Sequence, residues 1–139
     1  MIILDTNVMS ESTRLKPSAI VREWFEAQDR GQLYVTTISQ AEALFGLVIM
    51  PLGQKRSELQ MTMTATFNID YRGRILPFDS AAAIEFADIV AARRRAGKPM
   101  DNMDAQIAAI ARAHGAALAT RDVADFEGCG IALINPWAN

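Results

Sequence analysis

The sequence has little of what marks a secreted or membrane protein. Cys129 is the single cysteine among 139 residues, so the chain cannot form an internal disulfide. The longest apolar stretches end before the roughly 18 residues that a membrane-spanning helix requires. The start, Met-Ile-Ile-Leu-Asp, lacks the basic segment of a signal peptide. We therefore expect a cytoplasmic protein with no membrane partner.

Several kinds of site are missing as well. The single histidine, His114, precedes Gly115 at a predicted helix end, so we expect it on the surface and find no Ser–His–Asp constellation. No glycine-rich turn follows a predicted strand, which argues against dinucleotide binding. The net charge of −2 argues against a dedicated nucleic-acid binder. That argument is weaker if bound cations neutralise several of the acids. Basic residues also form a local cluster at Arg93–Arg95 and Lys98.

Short apolar segments alternate with amphipathic ones along the chain. The predicted strands are residues 2–4, 33–37, 74–77, 116–120 and 131–134, and the predicted helices are one from Pro17 and others at 39–50, 53–69, 79–96 and 103–114. A length of 139 residues suits one domain. The alternation predicts a three-layer α/β/α sandwich on a parallel sheet.

Four acids fall where this pattern ends a strand or begins a helix. Asp5 and Asp122 close the first and fourth strands, and Glu42 and Asp104 lie in first helical turns. In a parallel α/β fold these positions share one edge of the sheet, where such folds bind ligands. Clustered carboxylates repel one another, and Mg²⁺ or Mn²⁺ relieves the repulsion. A metal site is the first hypothesis.

Each acid also has a structural explanation. Ser39 and Glu42 form a capping-box pattern. Asp104 favours the dipole of a helix that Asp101 could cap, and Asp122 stands where turn-forming aspartates are common.

Asp79 shows that topology alone cannot select the site. It too begins a helix after a strand, and so faces the same edge. The choice among the acids therefore needs further information from the motifs.

Those motifs jointly resemble the PIN-domain ribonucleases. They are Ile3-Leu4-Asp5-Thr6-Asn7, Ser39-Gln40-Ala41-Glu42, Met103-Asp104-Ala105-Gln106-Ile107-Ala108-Ala109, Leu118-Ala119-Thr120-Arg121-Asp122 with Asp125-Phe126, and Ile134-Asn135-Pro136. The resemblance covers essentially the whole chain, which implies a single PIN domain over residues 1–139. The group it most resembles is the VapC/FitB-like toxins of toxin–antitoxin pairs, which share this length.

The resemblance implies a five-stranded sheet of order 3-2-1-4-5 and a set of site residues. Asp5 and Asp122 would then lie centrally, and Asp79 would be a helix cap on an edge strand. The implied catalytic residues are Asp5, Glu42, Asp104 and Asp122, of which Asp5, Asp104 and Asp122 would bind metal; Thr6, Asn7, Thr120 and Asp125 would support them, and Arg121 could contact substrate phosphate.

The implied activity is hydrolysis of RNA phosphodiesters. One or two Mg²⁺ ions, with Mn²⁺ able to substitute, would activate water and stabilise the leaving oxygen. The implied partners are an antitoxin protein, whose segment fills a groove near the acids, and a second copy of the chain. Residues 43–50 form a helix with almost no polar face, which fits either burial within the fold or cover by a partner.

Other functions fit less well. A receiver domain needs paired acids after strand one and a lysine after the last strand, and neither Asp5-Thr6-Asn7 nor the residues after Ile134 supply them. A haloacid-dehalogenase-type phosphatase needs Asp-x-Asp, which Asn7 interrupts. A non-catalytic PIN-like binding module stays open, because sequence cannot exclude it.

Overall fold

Five parallel strands form the centre of the computed structural model, which describes residues 1–138. In chain order they are β1 Ile2–Leu4, β2 Leu33–Thr36, β3 Ile75–Leu76, β4 Ala117–Ala119 and β5 Leu133–Ile134. Their order across the sheet is β3-β2-β1-β4-β5, which confirms the predicted fold. Asn139, the last residue of the predicted domain, lies outside the described residues.

Six α-helices connect these strands. They are α1 Thr6–Ser12, α2 Ala19–Glu26, α3 Thr37–Val48, α4 Gln54–Ala65, α5 Ser80–Arg95 and α6 Asn102–Ala113, and a π-helical turn, Thr66–Asp70, extends α4. Helix α1 was not predicted, because seven mostly polar residues carry too little periodicity to reveal a helix. None of the helices within residues 1–138 is long and apolar enough to cross a membrane.

Adjacent residues of the central strands face opposite sides of the sheet. Ile3 and Leu118 belong to one buried cluster, with α5 and α6, whereas Leu4 and Ala119 belong to a second, with α1, α2 and α4. This alternation is the period of two that a strand imposes on its side chains. It places helices on both faces, so the predicted three-layer arrangement is confirmed.

Helix α3 begins two residues before its predicted start. Thr36 caps it, since its hydroxyl accepts a hydrogen bond from the Ser39 N–H at 3.1 Å. Ser39 is therefore inside the helix and not its cap. The capping-box explanation of Glu42 is wrong.

The apolar residues of α3 divide between the core and the surface. Ala43 and Leu47 are buried, but Phe45, Val48 and Ile49 are 66%, 63% and 65% exposed. Burial within the fold therefore explains one face of this helix, and cover of the exposed face by a partner stays a prediction. Phe45 and Leu47 were both candidates for a contact with a partner on this helix, but Leu47 cannot serve as one, because its side chain lies inside the protein.

Candidate active site

Asp5 is fixed at the carboxyl end of β1 by three hydrogen bonds. Its backbone N–H donates to the Ala119 carbonyl at 2.8 Å, which ties it to the end of β4. Its Oδ1 accepts a hydrogen bond from the Thr6 N–H, so Asp5 caps α1. Its Oδ2 accepts a hydrogen bond from the Thr120 hydroxyl, and both distances are 2.8 Å. Asp5 is 6% exposed. The carboxylate therefore has one orientation, set from both flanking elements.

Glu42 reaches the same place from α3. The Thr6 hydroxyl lies 3.1 Å from Glu42 Oε1 and 2.9 Å from the Ser39 hydroxyl. A hydroxyl carries one proton, so Thr6 can donate to Glu42 while it accepts from Ser39. Ser39 is fully buried. It completes this chain of contacts, although the sequence pattern indicated only a helix cap.

Asn7 holds the segment that follows β4. Its amide donates to Asp122 Oδ2 at 3.1 Å, and its Oδ1 accepts from the Arg121 N–H at 3.4 Å. The Thr120 hydroxyl accepts from the Asp122 N–H at 3.0 Å. Asp122 makes no side-chain capping bond. Its carboxylate is thus directed by Asn7 and not by a turn of its own.

Asp104 is free of any capping role. Asp101 Oδ2 accepts from the backbone N–H groups of Met103 and Asp104, at 3.1 and 3.3 Å, and so caps α6 as predicted. Asp79 likewise accepts from the Ala82 N–H at 3.0 Å and caps α5, as predicted for that acid. Helix capping therefore accounts for Asp101 and Asp79, and it leaves the Asp104 carboxylate without a capping bond.

Burial, together with neighbouring negative charges, raises the pKa of Asp104 to about 7. Burial is the largest cause, and the carboxylates of Asp5, Asp101, Asp125 and Glu42 add to it. A carboxyl group acquires such a pKa where its ionised form is both desolvated and repelled. Acids of the four motifs, which are distant in sequence, therefore lie near enough to one another to interact through their charges.

The pKa values of Glu42 and Asp5 are raised for the same reasons. For Glu42, burial is the main cause, the hydrogen bond from Thr6 opposes it, and Asp5 adds repulsion. For Asp5, burial again dominates, the bonds from Thr120 and Thr6 oppose it, and Asp122 adds repulsion. The hydrogen bonds hold these carboxylates in place, but they do not cancel the repulsion.

The donor set suits a hard divalent cation. Carboxylate oxygens are the ligands that Mg²⁺ and Mn²⁺ prefer. None of the ion pairs within residues 1–138 includes an acid of this cluster, so no side-chain cation neutralises it. No three acidic, histidine or cysteine side chains of that part of the chain are already drawn together around a metal position. The chemistry of the residues present therefore fits a divalent metal, and Asp5 is already held in a fixed orientation.

Arg121 and Asp125 complete the predicted residues. Both are exposed and follow β4. Asp125 acts on Asp5 and Asp104 through its charge. The guanidinium carbon of Arg121 lies 4.9 Å from the centre of the Trp137 ring. Sequence reasoning missed Trp137, because no motif or periodicity connects it to the site.

The fold and the site together define a class of protein. It is a parallel α/β/α sandwich with an acidic cluster at the carboxyl ends of its central strands. A family model described as PIN domain matches residues 2–127. The chain belongs to the PIN domain family.

Individual relatives agree with this assignment. The chain is 42% identical to the VapC ribonuclease Y4jK of Sinorhizobium fredii, over 99% of this chain and 98% of that protein. It is 35% identical to toxin FitB of Neisseria gonorrhoeae, over 99% of each. Among solved structures, that of FitAcB from Neisseria gonorrhoeae superposes with a TM-score of 0.92 at 34% identity, over all of both chains.

Proposed function

We propose that residues 1–139 form a single PIN domain that acts as a metal-dependent endoribonuclease, the toxin of a cytoplasmic toxin–antitoxin pair. The observation that carries the proposal is the group of carboxylates at the carboxyl edge of the sheet, which raise the pKa of Asp104 together with its burial and which form no ion pair within residues 1–138. The similarity to a protein named VapC ribonuclease supports RNA as the substrate.

Asp5, Asp104 and Asp122 are the proposed metal ligands, and Glu42 is the fourth catalytic acid. Mg²⁺ is the proposed cofactor, with Mn²⁺ able to substitute; when bound, it lowers the pKa of a water molecule and stabilises charge on the leaving oxygen of the phosphodiester. The fixed Asp5 carboxylate sets the geometry of the site. Its orientation depends on Thr6 and Thr120, which bond to its two oxygens.

The other supporting residues hold the outer acids. Asn7 directs Asp122 by its 3.1 Å hydrogen bond, and Asp125 adds negative charge beside Asp5 and Asp104. Arg121 is the proposed contact for a substrate phosphate, because it is the cation next to the acids in the chain and its side chain is exposed.

The test of this function is cleavage of single-stranded RNA by the purified chain. We expect cleavage with Mg²⁺ or Mn²⁺, complete loss in EDTA, and recovery when the metal is restored. A chain that binds RNA but does not cleave it with either metal would instead be the non-catalytic binding module. Sequencing the RNA ends would identify the target.

The proposed protein partners are an antitoxin and a second copy of the chain. The similarity to the FitAcB structure supports an antitoxin partner. Phe45, Val48 and Ile49 form an exposed apolar surface at the end of α3. We propose this α3 surface as part of the antitoxin contact, since exposed apolar clusters of this kind mark protein interfaces.

Phe45→Glu is expected to weaken the complex with the cognate antitoxin at least about tenfold, because it places a charge in an apolar contact. The measurement is the dissociation constant by calorimetry. Leu15→Glu is the matched control, since Leu15 is also exposed but lies in the loop between α1 and α2. An unchanged constant for a folded Phe45→Glu variant would remove the α3 surface from the interface.

A further inference from the structure

Arg121 and Trp137 form a cation–π pair at the edge of the sheet that carries the acids. Arg121 follows β4 and Trp137 follows β5, and these strands are neighbours in a parallel sheet. The guanidinium carbon lies 4.9 Å from the ring centre, within the range of a cation–π contact. Both residues therefore lie at the carboxyl edge of the sheet, towards β5.

Trp137 is itself held in place. The chain turns at Asn135, whose Oδ1 accepts from the Trp137 N–H and whose carbonyl accepts from the Ala138 N–H, each at 3.0 Å. The indole is partly buried against the core cluster that contains Leu4 and Ala119. One part of the ring packs against the core, and the Arg121 guanidinium lies over its face. The indole is thus a rigid support.

The backbone of Arg121 is fixed as well, but its charged end is not bonded to any other residue of the described part of the chain. Arg121 lies between Thr120, which bonds to Asp5, and Asp122, which bonds to Asn7. Within residues 1–138 its guanidinium donates no hydrogen bond and forms no ion pair. Glu11 is affected by its charge, but the Glu11 carboxylate already accepts from Ser18 and Arg14.

We propose that Trp137 is a positioning residue that holds the Arg121 guanidinium ready to bind an RNA phosphate next to the scissile one. The inference rests on the proposed ribonuclease function. An acidic cluster repels the RNA backbone, so a cation fixed beside it is needed to keep the strand in place. A cation–π contact does not use the N–H groups as hydrogen-bond donors, so they can still bind a phosphate.

The test is a double-mutant cycle on RNA binding. Dissociation constants are measured for a fluorescein-labelled single-stranded RNA of mixed sequence with Mg²⁺, in an Asp5→Asn background that prevents cleavage. Arg121→Ala is expected to raise the constant about tenfold and to reduce the slope of log affinity against log salt by about 0.7, the share of one phosphate contact. Trp137→Ala is expected to raise the constant about threefold.

The coupling between the two residues decides the inference. Trp137→Ala should add nothing in the Arg121→Ala background, and Trp137→Phe, which keeps a ring in the core, should lie between Trp137→Ala and the parent. Arg72→Ala is the control. Arg72 is exposed at the amino end of β3, so this substitution removes one positive charge from the opposite edge of the sheet. Thermal unfolding midpoints show that each variant is folded.

Two results would overturn the inference. One is an unchanged salt slope in Arg121→Ala, and the other is a Trp137→Ala effect of full size in the Arg121→Ala background. Neither depends on catalysis, because binding is measured in the inactive background. Failure of the proposed function would appear separately, as an absence of RNA cleavage by the unmodified chain.

Discussion

Asp5→Asn is expected to reduce RNA cleavage by at least about 10³-fold, a loss of ~4 kcal/mol in transition-state stabilisation. Asn keeps the size of the side chain and an oxygen that can accept the bond from the Thr6 N–H. It removes the charge of the most buried acid in the cluster. The measurement is the single-turnover rate with saturating Mg²⁺.

Asp79→Asn is the matched control for this change. Asp79 also follows a strand at the same edge, but it caps α5 through the Ala82 N–H, and Asn caps helices as well as Asp. We expect its cleavage rate to stay within about twofold of the parent, because surface changes away from special features have small effects. Equal losses in Asp5→Asn and Asp79→Asn would mean that edge position alone, and not the four-acid set, matters.

Asp104→Asn is expected to abolish cleavage and yet stabilise the metal-free protein. The pKa of Asp104 is raised from 3.8 to about 7, so the folded state binds a proton more tightly than the unfolded state. Its ionisation therefore lowers the free energy of unfolding as pH rises from about 4 to 7, and the full loss is present above pH 7. The amide that replaces the carboxyl group cannot ionise, so the variant avoids that loss.

The expected gain at pH 8 is about 1–2 kcal/mol, a value reduced for the partial exposure of Asp104. Urea unfolding in EDTA at pH 5 and pH 8 measures it, and the gain should be smaller at pH 5. Added Mg²⁺ should stabilise the parent but not the variant. Asp88→Asn, which changes an exposed acid of α5, is the control. A variant no more stable than the parent at pH 8 would contradict the proposed repulsion.

The sheet and the placement of the acids followed from the sequence because each depends on local patterns. Short apolar strands and helix starts fix which residues reach the carboxyl edge, so Asp5 and Asp104 could be placed there without coordinates. The order of the strands came from the family resemblance. The structure confirms that order.

What the sequence could not predict depends on contacts between distant segments. Helix α3 begins at Thr37, before its predicted start, because Thr36 caps it. Ser39 therefore lies inside the helix, where its hydroxyl contacts Thr6. A nearly continuous apolar helix has no periodicity that shows which face is buried, so Leu47 could not be separated from Phe45.

We propose that Asp5, Asp104 and Asp122 hold a divalent metal, and the most direct test is the position of Mn²⁺ by anomalous diffraction from crystals of the free chain. We expect an anomalous peak beside Asp5, Asp104 and Asp122, and its loss in crystals of Asp5→Asn. A peak that is absent from the unmodified chain at saturating Mn²⁺, or one that persists unchanged without the Asp5 carboxylate, would contradict the account.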